Sequence, residues 1–131
     1  MADDDAAVRN ALTALGVAFE RLDVDAVLDL CTNDVVFIGS AEGEEAVGRD
    51  AVVAMLAAVA PHAEGVEFSL VWDSVDVDIH GDIALLVAWG EAGLVTKAGS
   101  STLRYRLTGV LIRGNGGWRW RIHHGSEPAA W

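Results

Sequence analysis

The chain closes on RIHHGSEPAAW (121–131), which packs two histidines, a serine and a glutamate into five consecutive positions with a glycine. The other imidazoles are His62 and His80, and the single thiol is Cys31. These side chains could move protons, attack a carbonyl or hold a metal near neutral pH. A triad of Ser126, His124 and Glu127 is the first chemistry to weigh. Residues so close on one strand end cannot readily reach in-line geometry, and no nucleophile elbow surrounds the serine. Adjacent strand residues point to opposite faces, so His123 and His124 cannot share one ion. His62 and His80 lie in other elements without ligand spacing. Neither a metal nor a cofactor is expected. What remains is one histidine as acid, base or polar anchor, and the question of which ring faces inward.

The elements that position these residues follow from periodicity. Val8, Leu12, Leu15, Phe19 and Leu22 form one apolar stripe at helical spacing, with Asp3 to Asp5 as cap and first-turn acids. A short helix follows Asp23, with Val24, Val27, Leu28 and Cys31 on one face, and Cys31 reads as a small core residue. DVVFIG (34–39) reads as a strand, SAEGEEAVG as a loop, and RDAVVAMLAAVA as a third helix ended by Pro61. Strands come next. VEFSLVW (66–72) and VDVDI (75–79) alternate out of phase, which predicts a bulge near Asp73–Ser74. HGD, TKAGSS and GNGG separate IALLVAWGEAGLV, TLRYRLTGVLIR and WRWRIHH. Helix, helix, strand, helix and four long antiparallel strands predict an α+β domain. Its helices would pack in the concave face of a strongly curved, mainly antiparallel sheet.

Composition bounds the function. At 131 residues and 52% hydrophobic, the chain suits one domain with a substantial core. The net charge of −11 argues against nucleic acid or an anionic membrane as partner. The longest apolar run, residues 51–60, is too short to cross a bilayer. An acidic N-terminus without a secretion signal, and one cysteine, predict a cytoplasmic protein.

On these residues the chain resembles the nuclear transport factor 2-like superfamily, a cone-shaped α+β fold, and within it the SnoaL-like proteins. GRDAVVAML is similar to the family's glycine-led third helix. GGWRWRIHHGS is similar to its closing strand, where a tryptophan precedes a histidine by six residues, here Trp118 and His124. The resemblance covers nearly the whole chain and implies a single SnoaL-like domain over 1–131. The fold hosts isomerases, cyclases, hydrolases, binding proteins and association modules, so it does not fix an activity. Among the family's chemistries, ketosteroid isomerisation can be checked by position. The general-base aspartate falls on Gly39, the oxyanion-hole tyrosine on Leu15 and the protonated aspartic acid near Gly109. That chemistry is therefore not expected.

The closing hairpin can be phased from its turn. If GNGG makes Arg113 face Trp118, strict alternation sends Leu103, Tyr105, Leu107, Trp118, Trp120, Ile122 and His124 to the cavity side. The expected ligand pocket is lined by Trp120, Tyr105, Phe37 and Trp72, with His124 as its polar anchor and a small apolar or cyclic molecule as ligand. Two alternatives stand beside this: a cyclase- or hydrolase-like enzyme using His124 as acid or base, and an association module with a filled core. The outer side would carry Arg104, Arg106, Arg119 and Arg121 facing Asp76 and Asp78 in cross-strand ion pairs. Trp89 among aliphatics on that face predicts a homodimer through the sheet.

Overall fold

The computed structural model describes residues 2–130. Helix α1 (Ala2–Glu20) and the one-and-a-half-turn α2 (Val24–Asp29) lead into strand β1 (Cys31–Ile38). The three-residue β2 (Glu45–Val47) and helix α3 (Arg49–Ala63) follow. Four long strands complete the chain: β3 (Glu67–His80), β4 (Ile83–Thr96), β5 (Gly99–Gly114) and β6 (Gly117–Ser126). They form one open sheet in the order β2-β1-β6-β5-β4-β3. Only the β1–β6 pairing is parallel. The α+β arrangement is the one the sequence predicts.

The apolar stripe of α1 buries Val8, Leu12 and Leu15 against the inner face of the sheet, where Ala84, Leu86, Ala88, Leu107, Leu111 and Trp120 meet it. Asp3, Asp4 and Asp5 lie in the first turn of α1. Asp4 ties that end of the helix to the far end of the sheet. It accepts from Arg113 Nη1 at 2.7 Å and from Trp118 Nε1 at 3.3 Å. The Arg113 bond holds the Asp4 carboxyl below its ordinary range.

Four boundaries depart from the sequence reading. Cys31 opens β1 instead of closing α2, because Leu30 caps the short helix and its carbonyl accepts Trp120 N–H at 2.8 Å. A helix of six residues has little cooperativity of its own, so the ladder captures the next residue. Part of the expected loop pairs with β1 as β2, although only Ala46 of its three residues is buried. Helix α3 runs three residues beyond the expected end and contains Pro61 in its last turn. There the lost N–H costs one terminal bond and no interior ladder. TKAGSS contracts to a two-residue turn, Lys97–Ala98.

The predicted bulge in β3 is present: the register with β4 shifts between Trp72 and Ser74. A second bulge, in β6, decides the site. Leu111 pairs with Trp120 as expected, but Val110 pairs with Ile122, so Arg121 is the extra residue. Beyond it every side chain changes face.

Candidate functional site

The helices and the curved sheet enclose a cavity of about 340 Å³. Leu12, Leu15 and Phe19 of α1, Met55, Leu56 and Val59 of α3, and Leu70, Trp72 and Leu107 of the sheet supply most of its apolar wall. Phe37, Tyr105 and Trp72 line it, in keeping with their expected positions.

His124 does not line it. The Arg121 bulge turns Ile122 and His124 to the outer face and brings His123 inward, 6% exposed and part of the cavity wall. The expectation that His124 faces the cavity is therefore corrected, and the physical reason is the bulge. Opposite it, β1 spends the four residues between Cys31 and Val36 against Arg121 alone. Arg121 Nε pairs there with Asp34 at 3.2 Å, which holds the extra residue. Trp120 is fully buried behind the cavity and does not line it; its indole N–H donates to Ala11 O at 3.3 Å. Ser126 Oγ accepts from Arg106 Nε at 3.3 Å. No group of residues suited to a metal ion occurs among those described.

Aromatic rings frame His123. Phe37, its partner across the parallel β1–β6 pair, stacks on it with centroids 4.4 Å apart and planes 8° apart. Trp120 and Phe19 meet it edge-on at 4.9 Å and 5.9 Å. Burial among these rings lowers the imidazole to about 3, so it is neutral at physiological pH. A neutral ring offers one N–H donor and one lone pair, without charge. Nδ1 is sealed from solvent and has no hydrogen-bond partner among the described residues.

Sequence reasoning missed two carboxylates on this cavity. Glu44 and Glu20 both line it. Glu44 reaches it because position 39 is glycine. A Cβ at Gly39 would stand 2.7 Å from Glu44 Cβ and 3.0 Å from Oε1, so the glutamate side chain fills the space a side chain at 39 would take. Ala41 N–H donates to Oε1 at 2.7 Å and fixes the carboxylate there. The same device recurs along the inner face. Trp72 lies over Gly90, the Trp120 indole over Gly109, and the Tyr105 hydroxyl over Gly125. Inward glycines on the strands were the available signal. Burial raises the Tyr105 phenol above its ordinary value; the Ser40 hydroxyl beside it opposes the rise, and Glu44 and Glu127 add to it.

The outer face is apolar along β4, where Ile83, Leu85 and Trp89 are exposed, and the β6 bulge adds Ile122. Arg104, Arg106 and Arg119 lie on this face, as expected, but Arg121 is drawn into the bulge. Arg104 pairs with Asp73 at 2.8 Å and Glu91 at 3.6 Å. The expected pairs with Asp76 and Asp78 are absent among the described residues: Arg104 reaches across β4 to Asp73 instead, and Asp78 pairs with His80. No described helix is long and apolar enough to cross a membrane.

Comparison with known proteins places this geometry. The family described as SnoaL-like domain matches residues 8–130. A search of curated proteins returned no match. Among solved structures, a protein from Catenulispora acidiphila shares 18% identity at a TM-score of 0.86, over 96% of this chain and 92% of that one. A suggested dehydratase of the nuclear transport factor 2-like family from Streptomyces avermitilis shares 22% at 0.80, over 99% and 100%. A nuclear transport factor 2-like protein with a cystatin-like fold from Novosphingobium aromaticivorans shares 17% at 0.81, over 98% and 84%. At these identities the structural likenesses establish the fold and leave the activity open. The chain belongs to the SnoaL-like domain family, with the nuclear transport factor 2-like, cystatin-like fold.

Proposed function

We propose that the protein binds a small, largely apolar, ring-containing molecule in the cone, with neutral His123, in place of His124, as the polar anchor. The observation that carries this is a cavity of about 340 Å³ walled by aliphatic and aromatic side chains and holding one buried, incompletely bonded imidazole. That volume lies within the usual range for ligand pockets, roughly 300–1,000 Å³. It weighs against an association module with a filled core. A His123 lowered to about 3 is a poor proton donor or acceptor at neutral pH, which favours binding over acid–base catalysis by this ring. The test is a thermal-shift titration with 2-naphthol on wild type, His123→Phe and His124→Ala. Ligand at about a hundred times Kd adds roughly 2.7 kcal/mol to stability. A shift lost in His123→Phe and kept in His124→Ala supports the reading; an equal shift in all three refutes the anchor.

A homodimer through the outer sheet face is proposed alongside. Trp89 is 39% exposed among Ile83, Leu85 and Ile122, a row of apolar side chains that a second copy would cover. Arg104, Arg106 and Arg119 flank it on one side, and Asp76 and Asp78 on the other. A two-fold axis near β4 lays the basic strip of one copy over the acidic strip of the other. The cytoplasmic reading rests on the lone, buried Cys31, which suits a reducing compartment.

A further inference from the structure

A second, smaller chamber of about 170 Å³ adjoins the main cavity and shares Glu44, Phe68, Leu94 and Tyr105 with it. Ser40, Ala92, Leu103 and Glu127 complete its wall. Its chemistry differs from that of the main cavity. Two carboxylates, Glu44 and Glu127, stand in its wall with two aromatic rings, Phe68 and Tyr105. We propose that this side chamber receives an ammonium group, so that the ligand of the cone is a hydrophobic amine. This rests on the reading of the main cavity as a ligand site and names the class of its occupant.

Four observations converge on a cation. Neither chamber is lined by a lysine or an arginine, whereas Glu20, Glu44 and Glu127 line one or both. Helices α1 and α3 both end at the cavity, at Glu20 and Ala63; the last turn of α1 has no basic residue, and that of α3 has only His62, which lines the main cavity and not the side chamber. The negative ends of both helix dipoles lie at the cavity wall. Glu44 is preorganised: Ala41 N–H holds Oε1 over Gly39, and Oε2 remains free for a ligand. Phe68 and Tyr105 line both chambers, and aromatic rings attract a cation through their quadrupoles. Meanwhile neutral His123, deep in the main cavity, brings no positive charge to repel it. A carboxylate in this place would meet two like charges, Glu44 and Glu127, and no lysine or arginine.

The division of labour follows from the two shapes. The apolar body fills the main cavity against Leu15, Met55 and Trp72, and the ammonium turns into the side chamber towards Glu44 and Glu127. A proton need not move and no bond is made; the claim concerns recognition alone.

The experiment uses one ring system with three head groups: 2-naphthylmethylamine, 2-naphthalenemethanol and 2-naphthoate, titrated near neutral pH by calorimetry or by quenching of tryptophan fluorescence. The amine should bind at least about tenfold more tightly than the naphthoate, with the alcohol between them. Glu44→Gln should bring the amine-to-naphthoate ratio towards one. Glu91→Gln removes the same charge from the outer face and should leave the ratio as in wild type. Naphthoate binding as tightly as the amine overturns the proposal while leaving the pocket intact. An amine preference that survives Glu44→Gln, or falls equally in Glu91→Gln, also overturns it. Absence of binding by all three overturns both this proposal and the pocket reading beneath it.

Discussion

Lowering the pH from about 7 to about 5 should destabilise this protein through one side chain. His123 is held neutral by burial, with its folded value near 3 against an ordinary 6.5. Between those values the unfolded chain binds a proton that the native state refuses. Stability therefore rises with pH across that window, is fully present above 6.5 and is lost as the pH falls towards 3. Integrating from about pH 7 to about pH 5 with one such group gives a loss of about 2 kcal/mol. With a urea m-value of roughly 2 kcal/mol/M, the midpoint should fall by about 1 M. Urea melts followed by tryptophan fluorescence at the two pH values measure this directly. His123→Phe removes the titrating group while keeping a ring to stack on Phe37, so its midpoint should be nearly flat across the same interval. The window also lies mainly above the carboxylate range, which keeps acid-sensitive contacts such as Asp4–Arg113 out of the result. Equal pH dependence in wild type and variant would refute the placement of His123 as a buried, neutral ring.

Gly125→Ala should push the Tyr105 phenol off its seat, costing about 1–3 kcal/mol by overpacking and altering the side chamber, read by chemical denaturation and ligand titration. Leu107→Ala, at a site 1% exposed, should cost about 2–5 kcal/mol in the same melts, because the cavity it leaves adjoins packed neighbours from the sheet. Cys31 should resist alkylation by iodoacetamide near pH 8 in the native state and react on unfolding; burial raises its thiol to about 11 and removes it from solvent. Trp89→Asp should halve the mass seen by light scattering while leaving the far-ultraviolet circular dichroism unchanged.

Most of the fold could be read from patterns that are local. The stripe of α1 and the turns HGD and GNGG declare themselves in a few residues. The β3 bulge also shows, because VEFSLVW and VDVDI alternate out of phase on either side of it. The β6 bulge leaves no such trace. In WRWRIHH, Ile122 continues the apolar alternation of Trp118 and Trp120, and a histidine follows on each face, so strict alternation fits the letters better than the true register. What overrides it is non-local: the irregular stretch of β1 opposite Arg121, and the Asp34 carboxylate that pairs with it. The sequence thus pointed to the paired histidines for a candidate site and assigned the wrong ring to the cavity.

Glu44 was hidden for a related reason. It sits in an acidic loop whose letters suggest solvent, and only the turn that brings Glu44 over Gly39 makes it part of the cavity. Position 39 is also where the isomerase comparison places a general base, and position 109 is where it places a protonated acid. Both are glycines here, and both are covered, one by a glutamate side chain and one by the indole of Trp120. A carboxylate has therefore returned to the neighbourhood of position 39 from another part of the chain, whereas the place near position 109 has become apolar. The cavity keeps a negative group at its mouth and a neutral imidazole in its depth. That polarity favours a ligand whose cationic end lies towards Glu44 while its rings fill the main cavity.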